Sequence, residues 1–320
     1  MIYFSSDPVF DLVGHTPLIP LTRLFANNKG IEVYAKLEYY NPSGSVKDRI
    51  AAHILRDAET RGALKPGGTV VEATSGNTGA SLAFFAARRG YKLLLTTMAK
   101  VSEEKKNFMR MLGAELIICP SEARHGAPEH YQTRAAQIAR ETPGAFWVNQ
   151  YDNPLNAEAH YLTTGPEIWS QMNGKVDWFV AGGSTGGTVS GTARYLKERD
   201  PGISVLLPDP VGSVYYHYIK TGEIESGSAK LYQVEGVGED HITKVMDKNF
   251  IDDAMQFDDA AAFEMCRRCA RLEGILPGLS SGGNLAGVAA LVERLPGPAR
   301  IVTLFPDAGV KYLSKLLAAT

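Results

Sequence analysis

Lys47 lies in Asn41-Pro42-Ser43-Gly44-Ser45-Val46-Lys47-Asp48-Arg49, among small and hydroxyl-bearing residues, just after the apolar stretch Ile31–Tyr40, which reads as a buried strand. An ammonium buried without a partner is costly, so a lysine placed there is either neutralised or does chemistry. One stable chemical outcome is an imine to an aldehyde. The segment alone favours a lysine whose stem lies on the surface while its head reaches water, the usual fate of lysine. Other segments bear on the choice.

Thr74-Ser75-Gly76-Asn77-Thr78-Gly79 joins a predicted strand, Val70–Ala73, to a predicted helix, Gly76–Arg89. N–H groups at a helix start attract anions, and Ser, Asn and Thr add directed donors. The turn could receive a carboxylate, or it could be a glycine turn with an ordinary cap. Gly182-Gly183-Ser184-Thr185-Gly186-Gly187-Thr188 repeats the design after the strand Trp178–Ala181 and opens a helix over Gly187–Arg199. It lacks the acidic residue ~20 positions on that marks a dinucleotide turn, and the Lys-Ser/Thr of a nucleotide-triphosphate loop. It therefore suits a small monophosphate; a structural glycine turn is the alternative. Gly278-Leu279-Ser280-Ser281-Gly282-Gly283-Asn284 is a third such turn, whose serines by default cap a helix over Leu285–Leu291. The Gln150 amide could face a ligand or satisfy its own loop. His15 and His160 read as hydrogen-bonded structural residues, since no histidine spacing suggests a metal site or a triad.

Elements must position these turns. Apolar runs alternate with helical patterns: strands at Lys92–Met98, Leu116–Cys119, Val205–Leu207 and Ile301–Phe305, helices at Ser102–Leu112 (Ser102 as cap), Arg134–Glu141 and Asn156–Met172, and an extended piece at Ala145–Val148. Strand–helix alternation with short loops predicts an α/β fold of twisted, mostly parallel sheets flanked by helices. At 320 residues and 44% apolar content the chain is long enough for two domains. Residues 211–249, rich in Gly and Tyr, interrupt the alternation and read as a functional loop or an interface. A net charge of −2 gives no basic face for nucleic acid, and no apolar run reaches the ~18–20 residues of a membrane span. The N-terminus lacks a secretory signal's basic start and cleavage site, so a cytoplasmic protein is expected. Cys266 and Cys269 form a C-x-x-C inside a helical pattern, Ala260–Glu273, with no second ligand pair; Cys119 reads as strand core.

Taken together the motifs resemble the fold-type-II family of pyridoxal-phosphate enzymes, the branch of cystathionine β-synthases and cysteine synthases. The resemblance runs from Gly14-His15-Thr16-Pro17-Leu18 through the Lys47 and Thr74–Gly79 segments, Asn149-Gln150-Tyr151 and Thr163–Ile168. It continues over the Gly182–Thr188 turn, Glu235-Gly236-Val237-Gly238, Gly278–Asn284 and Pro306-Asp307-Ala308-Gly309. It implies a tryptophan synthase β-like fold, with 1–41 packing on a large domain, 42–152 as a small mobile substrate domain and 153–320 as the large cofactor domain. It implies pyridoxal 5'-phosphate bound covalently by Lys47, with Asn77 on its phenolic oxygen, Ser184, Thr185, Gly186, Gly187 and Thr188 on its phosphate, and Ser280 at its pyridine nitrogen. Thr74, Ser75, Thr78 and Gln150 would hold the substrate carboxylate, and Gly236 would line the closing loop. The family's cradle begins with glycine where this chain has Ser184, and many relatives have proline at Met98.

The implied reaction is β-replacement on L-serine or an activated serine. A neutral hydroxyl at Ser280 does not hold a proton on the ring nitrogen as a carboxylate would, so loss of the β-group is favoured over a long-lived carbanion. The Asp209–Tyr216 and Glu235–Asp240 runs, with Pro306–Leu313, resemble the cystathionine β-synthase branch and point to serine plus homocysteine. Cysteine synthase with O-acetylserine and sulfide is the alternative, then an amine nucleophile with O-phosphoserine, serine dehydration, or a non-catalytic binding module on the same scaffold. Small amino acids with a thiol, sulfide or amine are thus the expected partners. A homodimer is expected, and neither an appended regulatory module nor an N-terminal haem-binding extension is.

Overall fold

The structure is a computed structural model that describes residues 7–26, 29–225, 227 and 229–318. In chain order it forms β1 (Leu18–Pro20), β2 (Glu32–Leu37), α1 (Lys47–Thr60), β3 (Thr69–Ala73), α2 (Asn77–Arg89), β4 (Lys92–Met98), α3 (Glu103–Met111), β5 (Glu115–Cys119), α4 (Tyr131–Glu141) and β6 (Phe146–Trp147). There follow α5 (Leu155–Leu162), α6 (Thr164–Gln171), β7 (Trp178–Val180), α7 (Gly187–Arg199), β8 (Ser204–Pro210) and α8 (Tyr215–Thr221). The chain then forms β9 (Asp253–Phe257), α9 (Asp259–Glu273), α10 (Leu279–Arg294), β10 (Arg300–Phe305) and α11 (Leu313–Ala318). The chain divides into two compact units, one of residues 1–13 and 47–156, the other of 14–46 and 157–320.

The first unit carries a sheet of order β5-β4-β3-β6, parallel throughout. Its core joins Val71 and Ala73 of β3 to Ala135 and Ile138 of α4, with Cys119, Tyr131 and Tyr151. α2 is built of small residues that let it lie close to its neighbours, burying Leu82, Ala83, Phe85 and Ala86. Gly90 ends it in the left-handed conformation, its N–H returning to Ala86 O, and Arg88 and Arg89 complement the helix dipole. Ser102 caps α3 by accepting from Lys105 N, as its position predicts.

In the second unit the sheet order is β1-β2-β10-β7-β8-β9, with only β1–β2 antiparallel. Strand alternation sends Ile301 and Phe305 of β10 to one core with α10, and Val302 and Leu304 to another with α7. β2, β7 and β8 divide in the same way: Val33, Val180 and Leu206 on the first face, Phe179, Val205 and Leu207 on the second. Both faces are therefore covered, as a parallel sheet requires. No helix among the described residues is long and apolar enough to cross a membrane.

Several expectations are corrected. The helix expected over 156–172 is two, because Pro166 lacks an N–H and would clash with the carbonyl of Leu162 in a continuous helix. The chain breaks at Thr163 (φ −128°, ψ −64°), which puts Pro166 in the first turn of α6, where no N–H is needed. The strand expected over 31–40 ends at Leu37; Glu38–Tyr40 form a 3-10 turn, and the buried Glu38 carboxylate accepts from Thr16 Oγ1 (2.7 Å) and Asn41 Nδ2 (2.9 Å). α10 begins at Leu279, so Ser280 to Asn284 lie inside the helix; its N-cap is Gly278, and no side chain caps it. β1 and β9 were not expected, and α8 lies within the segment read as an insertion. Cys266 and Cys269 sit buried in α9, and loss of solvent pushes both thiols up to about 12, away from thiolate chemistry.

Candidate active site

Lys36 is fully buried, neutralised by Glu167 at 2.8 Å and donating to Thr16 O and Gln171 Oε1, each at 2.9 Å. Lys47, by contrast, is half-buried at the first position of α1. The segment leading to it is held by Val46 N donating to Pro306 O (2.8 Å) and Lys311 Nζ donating to Gly44 O (3.0 Å). Gly44 has φ +82°, a conformation that favours glycine.

The first unit also holds the Thr74–Gly79 turn, between β3 and α2. No side chain of the N-cap Gly76 can cap α2; instead Thr74 Oγ1 accepts from Gly76 N and Gly79 N, both at 3.1 Å. Thr78 Oγ1 donates to Gln150 Oε1 at 2.6 Å, and Gln150 Nε2 donates to Ala73 O at 2.9 Å. The Gln150 amide thus ties β3 to the first turn of α2 rather than bonding its own loop. Thr74, Thr78 and Gln150 are buried, Asn77 is half-buried and Ser75 is exposed. Of this turn Ser75 is the exposed residue, while Gly79 N is taken by Thr74 Oγ1 and Ala80 N by Gly76 O.

A sequence reading of this turn missed Glu72, one residue before it. Its carboxyl is 0% exposed and burial pushes it up to about 8, against opposing hydrogen bonds from backbone N–H groups. The signal was present as an acid in the otherwise apolar Val70-Val71-Glu72-Ala73.

In the second unit the Gly182–Thr188 turn is tied by its carbonyls. Gly183 O accepts from Gly238 N (2.7 Å), Ser184 O from Tyr215 Oη (2.6 Å) and Thr185 O from Thr243 Oγ1 (2.8 Å). Three consecutive carbonyls are thus used on the protein side, and α7 starts at Gly187 with no side-chain cap on its N-cap, Gly186. Its first N–H groups and the Thr185 and Thr188 hydroxyls form a donor set suited to a phosphate, whereas the Ser184 hydroxyl proton is spent on Glu239. Ser184 Oγ donates to Glu239 Oε1 at 2.7 Å, and Thr188 Oγ1 lies 3.1 Å from Nε2 of buried His160, whose Nδ1 lies 2.8 Å from Thr164 Oγ1. His160 is a hydrogen-bonded structural residue, as expected.

The structure brings Ser280 and Gly236 to the same region. Gly182 N donates to Asn284 Oδ1 on α10 (2.8 Å), and a Cβ on Gly236 would stand 3.7 Å from Ser280 Oγ. Tyr215 and Thr243 were not anticipated as braces, since nothing local in the 211–249 segment distinguishes them from other polar loop residues; Asn284 stood in the third glycine turn without that role. Asp209, at the end of β8, is also buried, and desolvation raises it to about 7 despite bonds from Ser213 and the Tyr215 and Tyr216 amides.

Comparison with known proteins gives concordant results. The family described as pyridoxal-phosphate dependent enzyme matches residues 9–307. A cystathionine beta-synthase of Apis mellifera is 41% identical over 97% of this chain, which spans 61% of that relative's length. Cysteine synthase 1 of Neurospora crassa is 42% identical over 96% of this chain and 82% of its own. Among solved structures, O-ureido-L-serine synthase superposes with a TM-score of 0.86 at 34% identity, covering 96% of this chain and 93% of that one.

Proposed function

Because the chain belongs to the pyridoxal-phosphate dependent enzymes, we propose that it replaces the β-substituent of L-serine or an activated serine, with homocysteine as the acceptor and cystathionine as product. The observation that carries this reading is the setting of Ser280, a neutral hydroxyl in the first turn of α10, beside Gly236 and on the helix whose Asn284 holds the Gly182–Thr188 turn. The donor set fits the group: hydroxyls and helix N–H groups for a phosphate, a hydroxyl for a ring nitrogen, and Lys47 for an aldehyde.

Pyridoxal phosphate, when bound, supplies the conjugated acceptor that delocalises the electron pair left when the substrate loses its α-proton. The residues of this chain do the rest. Ser184, Thr185, Gly186, Gly187 and Thr188 hold the phosphate, and Asn77 donates to the phenolic oxygen. Lys47 would hold the aldehyde, and its ε-amine would be the base that takes the substrate's α-proton. Ser75 and the first N–H groups of α2 receive the substrate carboxylate, with Thr74, Thr78 and Gln150 fixing the turn that presents them. Ser280 leaves the ring nitrogen without a retained proton, which favours departure of the β-group.

A second reading, O-acetylserine with sulfide to give cysteine, is favoured by the 42% identity to a cysteine synthase. Catalytic efficiencies with serine plus homocysteine and with O-acetylserine plus sulfide, products identified by mass spectrometry, decide between them. Greater efficiency with the second pair rejects the first reading; keto-acid release without any nucleophile rejects both. The domain division at residues 42 and 153 and a homodimeric assembly belong to the same proposal, and sedimentation analysis tests the latter.

A further inference from the structure

The Glu72 carboxyl stands at a junction of three pieces of the first unit. Oε1 accepts from Ala73 N at 2.7 Å and Oε2 from Gln150 N at 3.1 Å, so one group joins the end of β3 to the loop after β6. The Asn149 N–H also points at this carboxyl. That loop is otherwise held by Val148 N on Val71 O (3.1 Å), Asn153 Nδ2 on Val148 O (2.8 Å) and Asn156 Nδ2 on Gln150 O (2.7 Å). Asn149 has φ +51°, a left-handed backbone that is uncommon outside glycine and persists where neighbours hold it. Beyond this bend the Gln150 side chain reaches Thr78 and Ala73 O.

The bonds form a short relay. Glu72 fixes the Gln150 backbone, the Gln150 amide fixes the Thr78 hydroxyl, and Thr78 belongs to the first turn of α2. A carboxyl suits this place because both its oxygens can accept, the hydroxyl oxygen of the protonated form included, whereas an amide nitrogen cannot. A carboxamide would turn an N–H₂ group toward an N–H.

We propose that Glu72 is a positioning residue that sets the affinity of the Thr74–Gly79 turn for the amino-acid carboxylate, acting through Gln150 and Thr78. The proposal rests on the reading above that this turn receives the carboxylate. Glu72 touches neither substrate nor cofactor in this role. It therefore affects how tightly the amino acid is held and leaves the chemical step alone.

The test uses holoenzyme variants Glu72→Gln and Glu72→Asp, titrated with L-serine and separately with O-acetyl-L-serine, following the cofactor's visible absorbance and steady-state rates. Losing one buried hydrogen bond predicts a rise in KM of about tenfold for Glu72→Gln. Glu72→Asp keeps both oxygens but withdraws them by one methylene, and gives a smaller rise. In both, kcat stays within about threefold and the absorbance of the enzyme without amino acid is unchanged. A loss of stability alone would not produce that division between KM and kcat. Thr78→Val combined with either variant gives less than the product of the separate effects, because both act on one relay.

Wild-type KM in whichever Glu72 variant folds overturns the proposal, as does a fall in kcat with KM unchanged. The underlying reading fails differently: Ser75→Ala together with Thr78→Val then leaves amino-acid affinity at the wild-type value.

Discussion

A Cβ added at Gly186 would meet the backbone of Met246 at 2.7 Å, whereas one added at Gly76 would meet only the side chain of Lys105, at 3.3 Å. The same contrast holds along both turns. Gly182 and Gly183 lie against Val237 and the Met246 methyl, each 2.5 Å from where a Cβ would be, and Gly186 has φ +86°. Within the Thr74–Gly79 turn it is Gly79 that is confined in that way, by Met109 and Thr74. Two segments alike in composition are therefore held differently. The second is clamped by parts of the chain far away in sequence and has one available shape. The first leans on a flexible lysine and a relay of side chains. This suits the proposed division, in which the second turn would keep a resident phosphate and the first would meet a ligand that comes and goes.

The largest effect expected is that of Lys47→Ala, which should lower turnover by about 10³-fold and remove the imine absorption band, while the second-unit turn still binds the cofactor's phosphate. Loss of phosphate binding in this variant, read by equilibrium dialysis, would show that the turns do not act separately. Next, Gly186→Ala should cost roughly 2–4 kcal/mol in urea unfolding and weaken cofactor retention, since the new Cβ meets backbone at a positive φ. Gly76→Ala should cost less than about 1 kcal/mol, the lysine moving aside. The reverse ranking would break the comparison.

pH probes the buried acid beside each turn. Glu72 (about 8, against 4.5) and Asp209 (about 7, against 3.8) keep their protons in the fold where the unfolded chain has lost them. Folding then binds protons, so stability from these groups is fully present below about pH 4 and falls as pH rises to about 7 for Asp209 and about 8 for Glu72. Each contributes at most about 1.4 kcal/mol per pH unit inside its window. Urea midpoints of the wild type against Asp209→Asn and Glu72→Gln should show a shallower decline in each variant; equal slopes would contradict the assignment. Tyr215→Phe removes the donor to Ser184 O and should cost about 1–2 kcal/mol, read in the same urea unfolding.

The sheets, most helices and both glycine turns were legible because each is written in a local pattern: apolar runs of strand length, small residues at helical spacing, glycines with hydroxyls between them. What escaped was non-local. β9 is alternately half-exposed and lies next to a long irregular segment, so its period is weak. The split at Thr163 was present in Pro166 and passed over because the apolar spacing continues across it. Ser280 reads as a turn residue because Gly282 and Gly283 are poor helix formers; contact decides, with Phe257, Ala262 and Cys266 leaving no room for side chains there. The braces Tyr215, Thr243 and Met246 gain their roles only when residues some 30 to 60 positions apart meet.

In the second unit β10 pairs with β2 on one side and β7 on the other, Arg300 opposite Glu32 and Ile301 opposite Trp178. The strand that leaves the ribosome last among these occupies the middle of the sheet. Until it arrives, β2 has a bare hydrogen-bonding edge facing where β10 will be, over Glu32–Leu37, and so does β7. Open edges of that kind invite pairing with other chains. Nascent chains halted before residue 300 should thus be the most prone to aggregate, and the most dependent on a chaperone.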